Sequence, residues 1–282
     1  MSLNALYALI VVAAFAHASW NAMVKSSSDR LLMLASIRLV GLLVGLIVAG
    51  LVPLPSVESV PFLVAAAVVH YLYYALLLNA YRVGDMSQVY PIARGIAPVL
   101  VALLASLFAG EPLGQLATLA VLLVSVGIFL LGWSGRTLNR KSVCFAILTG
   151  VAIAGYSFLS GLGIRKSQSL LGYVAWLEIA TGVGMVLVAY VRRKAVLVEF
   201  ARTEWQSGFI AGLLSVTGYA ISLWAMSVLT LALVVALRET SVVFAAIIGS
   251  VFLHEGFARR RVAAAAVVVA GIVLLSLGPQ SP

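Results

Sequence analysis

Residues 90–132 read YPIARGIAPVLVALLASLFAGEPLGQLATLAVLLVSVGIFLLG, and the chain writes this stretch twice. Shifted forward by 144 positions, Arg94 falls on Arg238, Ser106 on Ser250, Phe108 on Phe252, Glu111 on Glu255 and Gly127 on Gly271. In the ungapped overlay of 94–131 on 238–275, 12 of 38 positions are identical. Matches among Leu, Ile, Val and Ala arise by chance between any two apolar helices. Those of Arg, Glu, Gly and Ser carry the conclusion that a long unit is repeated.

The surrounding composition sets the solvent. Of 282 residues, 63% are hydrophobic and 10% charged, against roughly a quarter charged in an average soluble domain. The apolar residues come in blocks of about 20, enough to cross roughly 30 Å of hydrocarbon as a helix. Ten such blocks are read, near 3–23, 31–51, 61–81, 88–109, 113–133, 143–164, 170–191, 206–226, 229–252 and 260–278. They lack the period-two alternation of a membrane barrel, so helix is the expected spanning form. The longest connection runs from Arg192 to Gln206, too short for a soluble domain. The others are turns marked by Pro53, Pro55, Pro61, Gly84, Pro112 and Gly135.

The first block lacks the basic start of a signal peptide and runs too long for one. It also has a counterpart: at an offset of 141, Ser19, Lys25 and Ser26 meet Ser160, Lys166 and Ser167. It is read as a retained helix. The single cysteine, Cys144, excludes an intramolecular disulfide and a cysteine metal cluster. No metal and no cofactor is expected.

The expected fold class is therefore an all-α integral membrane protein, with ten transmembrane helices arranged as two five-helix inverted repeats over 1–135 and 141–280. Five crossings is an odd number, so the second copy must enter the membrane from the opposite side. The halves are then related by a pseudo-twofold axis in the membrane plane, as in inverted-topology transporters.

Helices four and nine each end in a glutamate turn, Gly110-Glu111 and His254-Glu255, and helices five and ten carry GI-x-LL at 127–131 and 271–275. With five plus five helices, the chain resembles the EamA-type, ten-helix branch of the drug/metabolite transporter superfamily over essentially its whole length. The resemblance implies a carrier and says little of the substrate, since that superfamily moves amino acids, sugars, nucleotide derivatives, amines and drugs. The HASWN run at 17–21 also resembles members that occur with phosphonate use.

The connections that follow odd-numbered helices carry Lys25, Arg30, Arg82, Arg136, Arg140, Lys141, Arg192, Arg193, Lys194, Arg202, Arg259, Arg260 and Arg261, and the opposite side carries Arg165 and Lys166. By the positive-inside rule this places the first set in the cytoplasm and both termini outside, whereas relatives are usually drawn with termini inside. The same bias accounts for the net charge of +9. Nucleic-acid binding would need a soluble basic face, and there is no domain to carry one.

Polar residues inside the spans are costly, roughly 2.5–3.5 kcal/mol each at mid-bilayer if ionised and unpaired, and so mark function or pairing. Arg94 and Arg238 occupy matching places in the repeats. Arg94 lies between Pro91 and Pro98, which remove backbone donors and can open a helix onto a cavity. An arginine on each half of a cavity suits a carboxylate or phosphonate. The competing reading has each arginine near a helix end, reaching to the headgroups.

Arg38 and Glu178 fall at an offset of 140 and are read as a buried ion pair or as separately satisfied groups. Glu239 points about 100° away from Arg238 around a helix, so the two need not pair. Helix three presents His70, Tyr74, Leu77 and Tyr81 on one face, flanked by Tyr71, Tyr73 and Asn79. Tyr219 and Trp224 in helix eight, Tyr156 in helix six and Trp176 in helix seven answer it, with Tyr90 at the start of the repeated stretch. Tyr7, Trp133, Tyr190 and Trp205 near span ends read as interfacial belts. His17, Trp20 and Asn21 share a face of helix one, and His17 and His70 offer groups able to change charge near neutral pH.

The expected substrate-binding set is thus Arg94, Arg238, His70, Tyr74, Tyr71, Asn79, Trp20, Asn21, Tyr90, Tyr219 and Trp224, with His17, Arg38, Glu178 and Glu239 for coupling or gating. Gly41/Gly45 and Gly208/Gly212 are small-xxx-small pairs that let helices approach closely, and Glu111 and Glu255 are expected to cap turns.

Enzymatic readings fail on motifs. There is no HExxH and no P-loop, both aspartates fall in connections, and no GxSx nucleophile with a histidine deep in another helix stands out. The expectation is a secondary active transporter, an exporter or exchanger in the plasma (inner) membrane, moving a small polar or amphipathic metabolite such as an amino acid or organic anion by alternating access. A phosphonate-like anion or an amine or drug are the other substrate classes, with a proton or counter-substrate as coupling partner, in a monomer or homodimer. A channel or non-transporting membrane scaffold is the rival.

Overall fold

The computed structural model describes residues 3–83, 86–132, 139–252 and 259–276, and among these there is no strand. The helices are α1 (Leu3–Ser26), α2 (Arg30–Ala49), α3 (Val60–Val83), α4 (Met86–Phe108), α5 (Gln115–Gly132), α6 (Arg140–Lys166), α7 (Leu170–Arg193), α8 (Leu197–Val228), α9 (Leu231–Arg238), α10 (Thr240–Phe252) and α11 (Arg259–Ser276), with 3-10 turns at Val57–Ser59 and Lys194–Val196. Six helical stretches are long and apolar enough to cross a membrane, and Gln115–Leu131 and Ala263–Leu275 are shorter apolar helices. The molecule is an all-α membrane protein.

Local chemistry sets the helix ends. The Asp29 carboxylate accepts from the Leu31 and Leu32 amides at the start of α2, and Asn139 and Ser169 cap α6 and α7 in the same way. Gly110, at φ 68°, supplies the left-handed residue that ends α4. The Ala109 and Glu111 amides both turn back to the Ala105 carbonyl there.

Two expectations need correction. The stretch from Arg192 to Gln206 is not an open connection, because α8 already begins at Leu197; LVEFARTEWQ is rich in helix formers. The helix that opens is also not the one with two prolines. Pro91 and Pro98 lie inside a continuous α4, whereas the ninth apolar stretch breaks at Glu239, between α9 and α10.

Helix packing follows the repeat in part. The interfaces α2·α7, α3·α6, α5·α11, α4·α6, α1·α8 and α1·α10 form a set that is unchanged when each helix is exchanged for its counterpart at the repeat offset, whereas α4·α5 and α2·α8 are extensive and have smaller counterparts in α10·α11 and α3·α7. The closest approach is reciprocal: a Cβ on Gly127 would lie 2.8 Å from the Val268 amide and 3.0 Å from the Ala264 carbonyl, and one on Gly271 would lie 2.9 Å from both the Ala120 carbonyl and the Val124 amide. Those four neighbours are themselves related by the repeat offset. As the residue number rises on α5 its partner's falls on α11, so the two helices run antiparallel about a local twofold.

The α2·α7 interface has the same character. A Cβ on Gly45 would lie 2.7 Å from the Ala175 carbonyl and one on Gly182 2.9 Å from the Arg38 carbonyl, so backbone packs directly on backbone. Gly208 and Gly212 bring α8 onto Ser36 and Val40 of α2. Both small-residue pairs expected from sequence are helix contacts.

The connections sort to two ends. At one, the Arg193 guanidinium donates to Asp29 at 2.7 Å, and Ser27 and Ser28 donate to Glu204. At the other, the Ser56 amide donates to the Ser167 carbonyl at 2.8 Å and the Ser169 hydroxyl to the Pro53 carbonyl at 2.8 Å. The first end carries most of the basic residues. Arg82, Asp85, Trp133, Arg136, His254, Glu255, Arg259, Arg260, Arg261 and the side chain of Tyr81 lie outside the described residues or side chains.

Candidate functional site

Between the two halves lies a buried cavity of about 60 Å³, with walls from α1 (His17, Trp20), α2 (Leu34, Ile37, Arg38), α3 (His70, Tyr73, Tyr74), α6 (Tyr156), α8 (Ser215, Gly218, Tyr219) and α9 (Arg238). Trp20, Leu34, Tyr73 and Tyr74 are shared with a vestibule of about 510 Å³ that reaches Lys25, Arg30, Arg192 and Arg193 at the basic end. The vestibule falls in the usual range for a small-molecule site and is the approach to the narrower cavity.

The far end is tied by side chains. The Glu111 carboxylate accepts the Leu231 amide at 2.8 Å, capping α9, and forms an ion pair with Arg165. Arg165 in turn donates to the Met226 and Leu229 carbonyls, each at 2.8 Å. Glu111 is therefore a cap, as its place in a turn suggested, but for a helix of the other half rather than its own.

The three arginines within the spans have different partners. Arg94 is 5% exposed and paired: its Nε donates to Glu239 Oε2 at 3.0 Å, and one Nη lies 3.0 Å from Glu239 Oε1 as an ion-pair contact and donates to Ser241 Oγ at 3.1 Å. It is absent from the cavity wall. Arg38 donates one Nη to Glu178 Oε2 at 3.0 Å and the other to Ser215 Oγ at 2.7 Å, while facing the cavity. Arg238 faces the cavity with its guanidinium carbon 6.0 Å from the Tyr219 ring centre. Among the described residues it has no hydrogen-bond or ion-pair partner. The break at Glu239 separates these roles, since it lets one residue of α9 point into the cavity while the next reaches across to α4.

Aromatic rings frame the cation. His70 stacks on Tyr156 with centroids 3.9 Å apart and meets Tyr219 edge-on at 6.0 Å. Its Nδ1–H donates to the Ala66 carbonyl at 2.8 Å, since a carbonyl can only accept, and this leaves Nε2 for the cavity. Tyr219 and Ser160 share a hydrogen bond of 3.1 Å. His17 packs edge-on against Trp20 at 4.9 Å.

Of the residues expected to bind substrate, Arg238, His70, Tyr74, Trp20 and Tyr219 come together around the cavity, and Asn21 lies in the vestibule with its amide donating to the His17 carbonyl. The others go elsewhere. Tyr71 is a helix tie, its hydroxyl donating to the Ala180 carbonyl and accepting from the Gly184 amide. The Asn79 amide is returned to the Ala75 carbonyl of its own helix. Tyr90 packs beside Arg94 and among the side chains between α5 and α11, Trp224 packs on the apolar core, and Trp176 is 39% exposed on the outer surface. Of those expected to couple or gate, His17 and Arg38 line the cavity, while Glu178 and Glu239 lie behind it as ion-pair partners. Ser215 was not singled out from sequence. Nothing distinguishes it there from the other serines of these helices, because its role comes from facing Arg38 of a distant helix.

Residues 140–277 match the model of the EamA-like transporter family. The chain is 29% identical over 214 residues to an uncharacterized transporter of Archaeoglobus fulgidus, covering 71% of this chain and 73% of that one. A protein known from a crystal structure superposes with a TM-score of 0.74 at 18% identity, over 96% of this chain and 95% of the other, which speaks to the fold alone. With its apolar helices and its match over 140–277, the chain is a membrane protein similar to the EamA-like family of transporters.

Proposed function

We propose that this transporter is a secondary carrier for a small organic anion, working by alternating access between two inverted five-helix repeats, 1–135 and 141–280. The family match over 140–277 and the reciprocal, antiparallel glycine contacts of α5 and α11 support two opposed halves, with α9 and α10 together forming a broken ninth crossing. In such an arrangement, exchanging the conformations of the halves moves the opening from one side of the membrane to the other.

The observation that carries the substrate class is Arg238. A cation in the bilayer interior is retained when something needs it, and this one faces an aromatic-walled cavity with its guanidinium uncommitted among the described residues. A carboxylate, phosphonate or sulfonate would accept parallel hydrogen bonds from it, while Tyr156, Tyr219, His70 and Trp20 would cover an apolar or ring portion. Arg94, whose charge Glu239 already balances, is assigned to holding the halves together. The vestibule at the basic end and the Glu111–Arg165 tie at the other are in keeping with a state open to one side. Under the positive-inside rule that side is the cytoplasm, in a plasma (inner) membrane, and such a one-sided opening disfavours a continuous channel.

A thermal-shift screen of the purified chain against carboxylates, phosphonates, amino acids and amines tests the reading, because a ligand stabilises with the logarithm of its occupancy. Anions should raise the melting temperature of the wild type and leave Arg238→Gln unmoved. Stabilisation by amines alone, or equal stabilisation of Arg238→Gln by anions, would refute it.

A further inference from the structure

The two buried carboxylates are held differently. Arg94 reaches both oxygens of Glu239, donating a hydrogen bond to Oε2 and making an ion-pair contact with Oε1, each at 3.0 Å. Glu178 is equally buried, at 1% exposure, but only its Oε2 is bonded, and Oε1 has no hydrogen-bond partner. An ionised oxygen shut away from water without a donor is costly, and a proton removes that cost by removing the charge.

The surroundings limit what else could answer it. α7 packs against α2, α3, α6 and α8. These bring Arg38 from α2, Tyr71 and Tyr74 from α3, Tyr156 from α6 and, beyond Arg38, Ser215 and Tyr219 from α8. Arg38 is the cation of this group, and it also stands in the cavity wall beside Arg238. One guanidinium thus faces an acid on one side and the proposed anion site on the other.

We infer that Glu178 is the proton site of a proton–anion cotransport cycle, taking a proton at Oε1 as Arg38 turns from Glu178 to an anion in the cavity. The inference rests on the anion-carrier reading. In the empty site Arg38 and Glu178 neutralise each other. When an anion enters, the Arg38 N–H bond to Glu178 Oε2 breaks and one to the anion forms, leaving a buried carboxylate without a counter-charge. A proton from cavity water completes the exchange by forming an O–H bond on Glu178. One proton and one negative charge have then entered together, so the net charge of the site is unchanged. Release of both restores the ion pair. By reciprocity, the anion must raise proton affinity by the same factor as the proton raises anion affinity.

Benzenesulfonate is a suitable probe, because it stays ionised across the working range and any proton taken up belongs to the protein. With the purified full chain in weak buffer, thermal shift would report binding and a pH dye would report uptake. The wild type should bind the probe and take up about one proton per probe bound. Glu178→Gln, which mimics the protonated acid, should bind at least as tightly with no uptake, while Glu239→Gln should still take up the proton. His17 and His70 share the cavity, so infrared difference spectra of the wild type provide a second measurement that needs no variant at position 178. Addition of the probe should produce a protonated-carboxyl band, which imidazole cannot give. Failure of benzenesulfonate to stabilise the wild type would overturn the anion-carrier reading and the inference with it. Binding without uptake, uptake that survives Glu178→Gln, or no carboxyl band would overturn the inference alone.

Discussion

Two buried arginine–glutamate pairs tie α2 to α7 and α4 to the break between α9 and α10, and they are built to different tolerances. Arg94 reaches both oxygens of Glu239, with a hydrogen bond to Oε2 and an ion-pair contact to Oε1, each at 3.0 Å, and Ser241 accepts from the same guanidinium. Arg38 is bonded to one oxygen of Glu178, and the remaining groups are its donor to Ser215 and an Oε1 without a hydrogen-bond partner. In each pair the arginine comes from the first half and the glutamate from the second. The difference lies in access. Arg94 is enclosed by protein, whereas Arg38 borders the cavity. A charge pair away from the cavity can be satisfied once and left, while one beside it has a use for a bond that can be exchanged.

The comparison can be broken most forcefully at Arg94. Arg94→Gln strands Glu239 as a buried, unbalanced carboxylate and is expected to cost about 3–5 kcal/mol in unfolding measurements. Adding Glu239→Gln should recover most of that loss. If the single and double variants are equally stable, the pair is not a lock. Arg38→Gln should cost less, about 1–3 kcal/mol, because Arg38 borders the cavity whereas Arg94 is enclosed by protein. A cost as large as that at Arg94 would erase the distinction.

Next in size come the reciprocal glycines. Gly127→Leu and Gly271→Leu each drive a side chain into opposing backbone at about 3 Å and should each cost about 1–3 kcal/mol. The two losses should be alike, since a local twofold relates the sites. A large loss at one and none at the other would contradict the symmetry. The smallest effects belong outside both pairs and the cavity: Asn79→Ala and Trp176→Phe should stay within about 0.5 kcal/mol of wild type and leave transport unchanged.

The all-helical membrane fold was legible in the sequence because a bilayer imposes the length of its hydrophobic blocks on any chain that crosses it. Arg94, Arg238, Glu111 and Gly127 announced the repeat by recurring at one offset. What recurrence could not announce is partnership. Arg94 and Arg238 look equivalent in sequence, yet Glu239 follows only the second, and the helix break there sends that carboxylate across to the first. The prolines misdirected for a related reason. A missing amide weakens α4 locally, but whether a helix opens is decided by what packs around it, and α4 runs unbroken against α5 and α6. The stripe of His70, Tyr74 and Leu77 was readable from helical spacing, and His70 and Tyr74 line the cavity with Leu77 in its vestibule. Tyr71 and Asn79 neighbour that stripe in sequence but face α7 and their own helix backbone.

The central claim is that the uncommitted guanidinium of Arg238 binds a transported anion, and counterflow in proteoliposomes tests it most directly. Vesicles carrying the purified chain would be loaded with the anion that stabilises it best, and uptake of trace label followed from outside. The account predicts transient accumulation of label above equilibrium, saturating with substrate, and its loss in Arg238→Gln protein that still folds and inserts. Flux that neither saturates nor overshoots, or that is the same in Arg238→Gln, would contradict it.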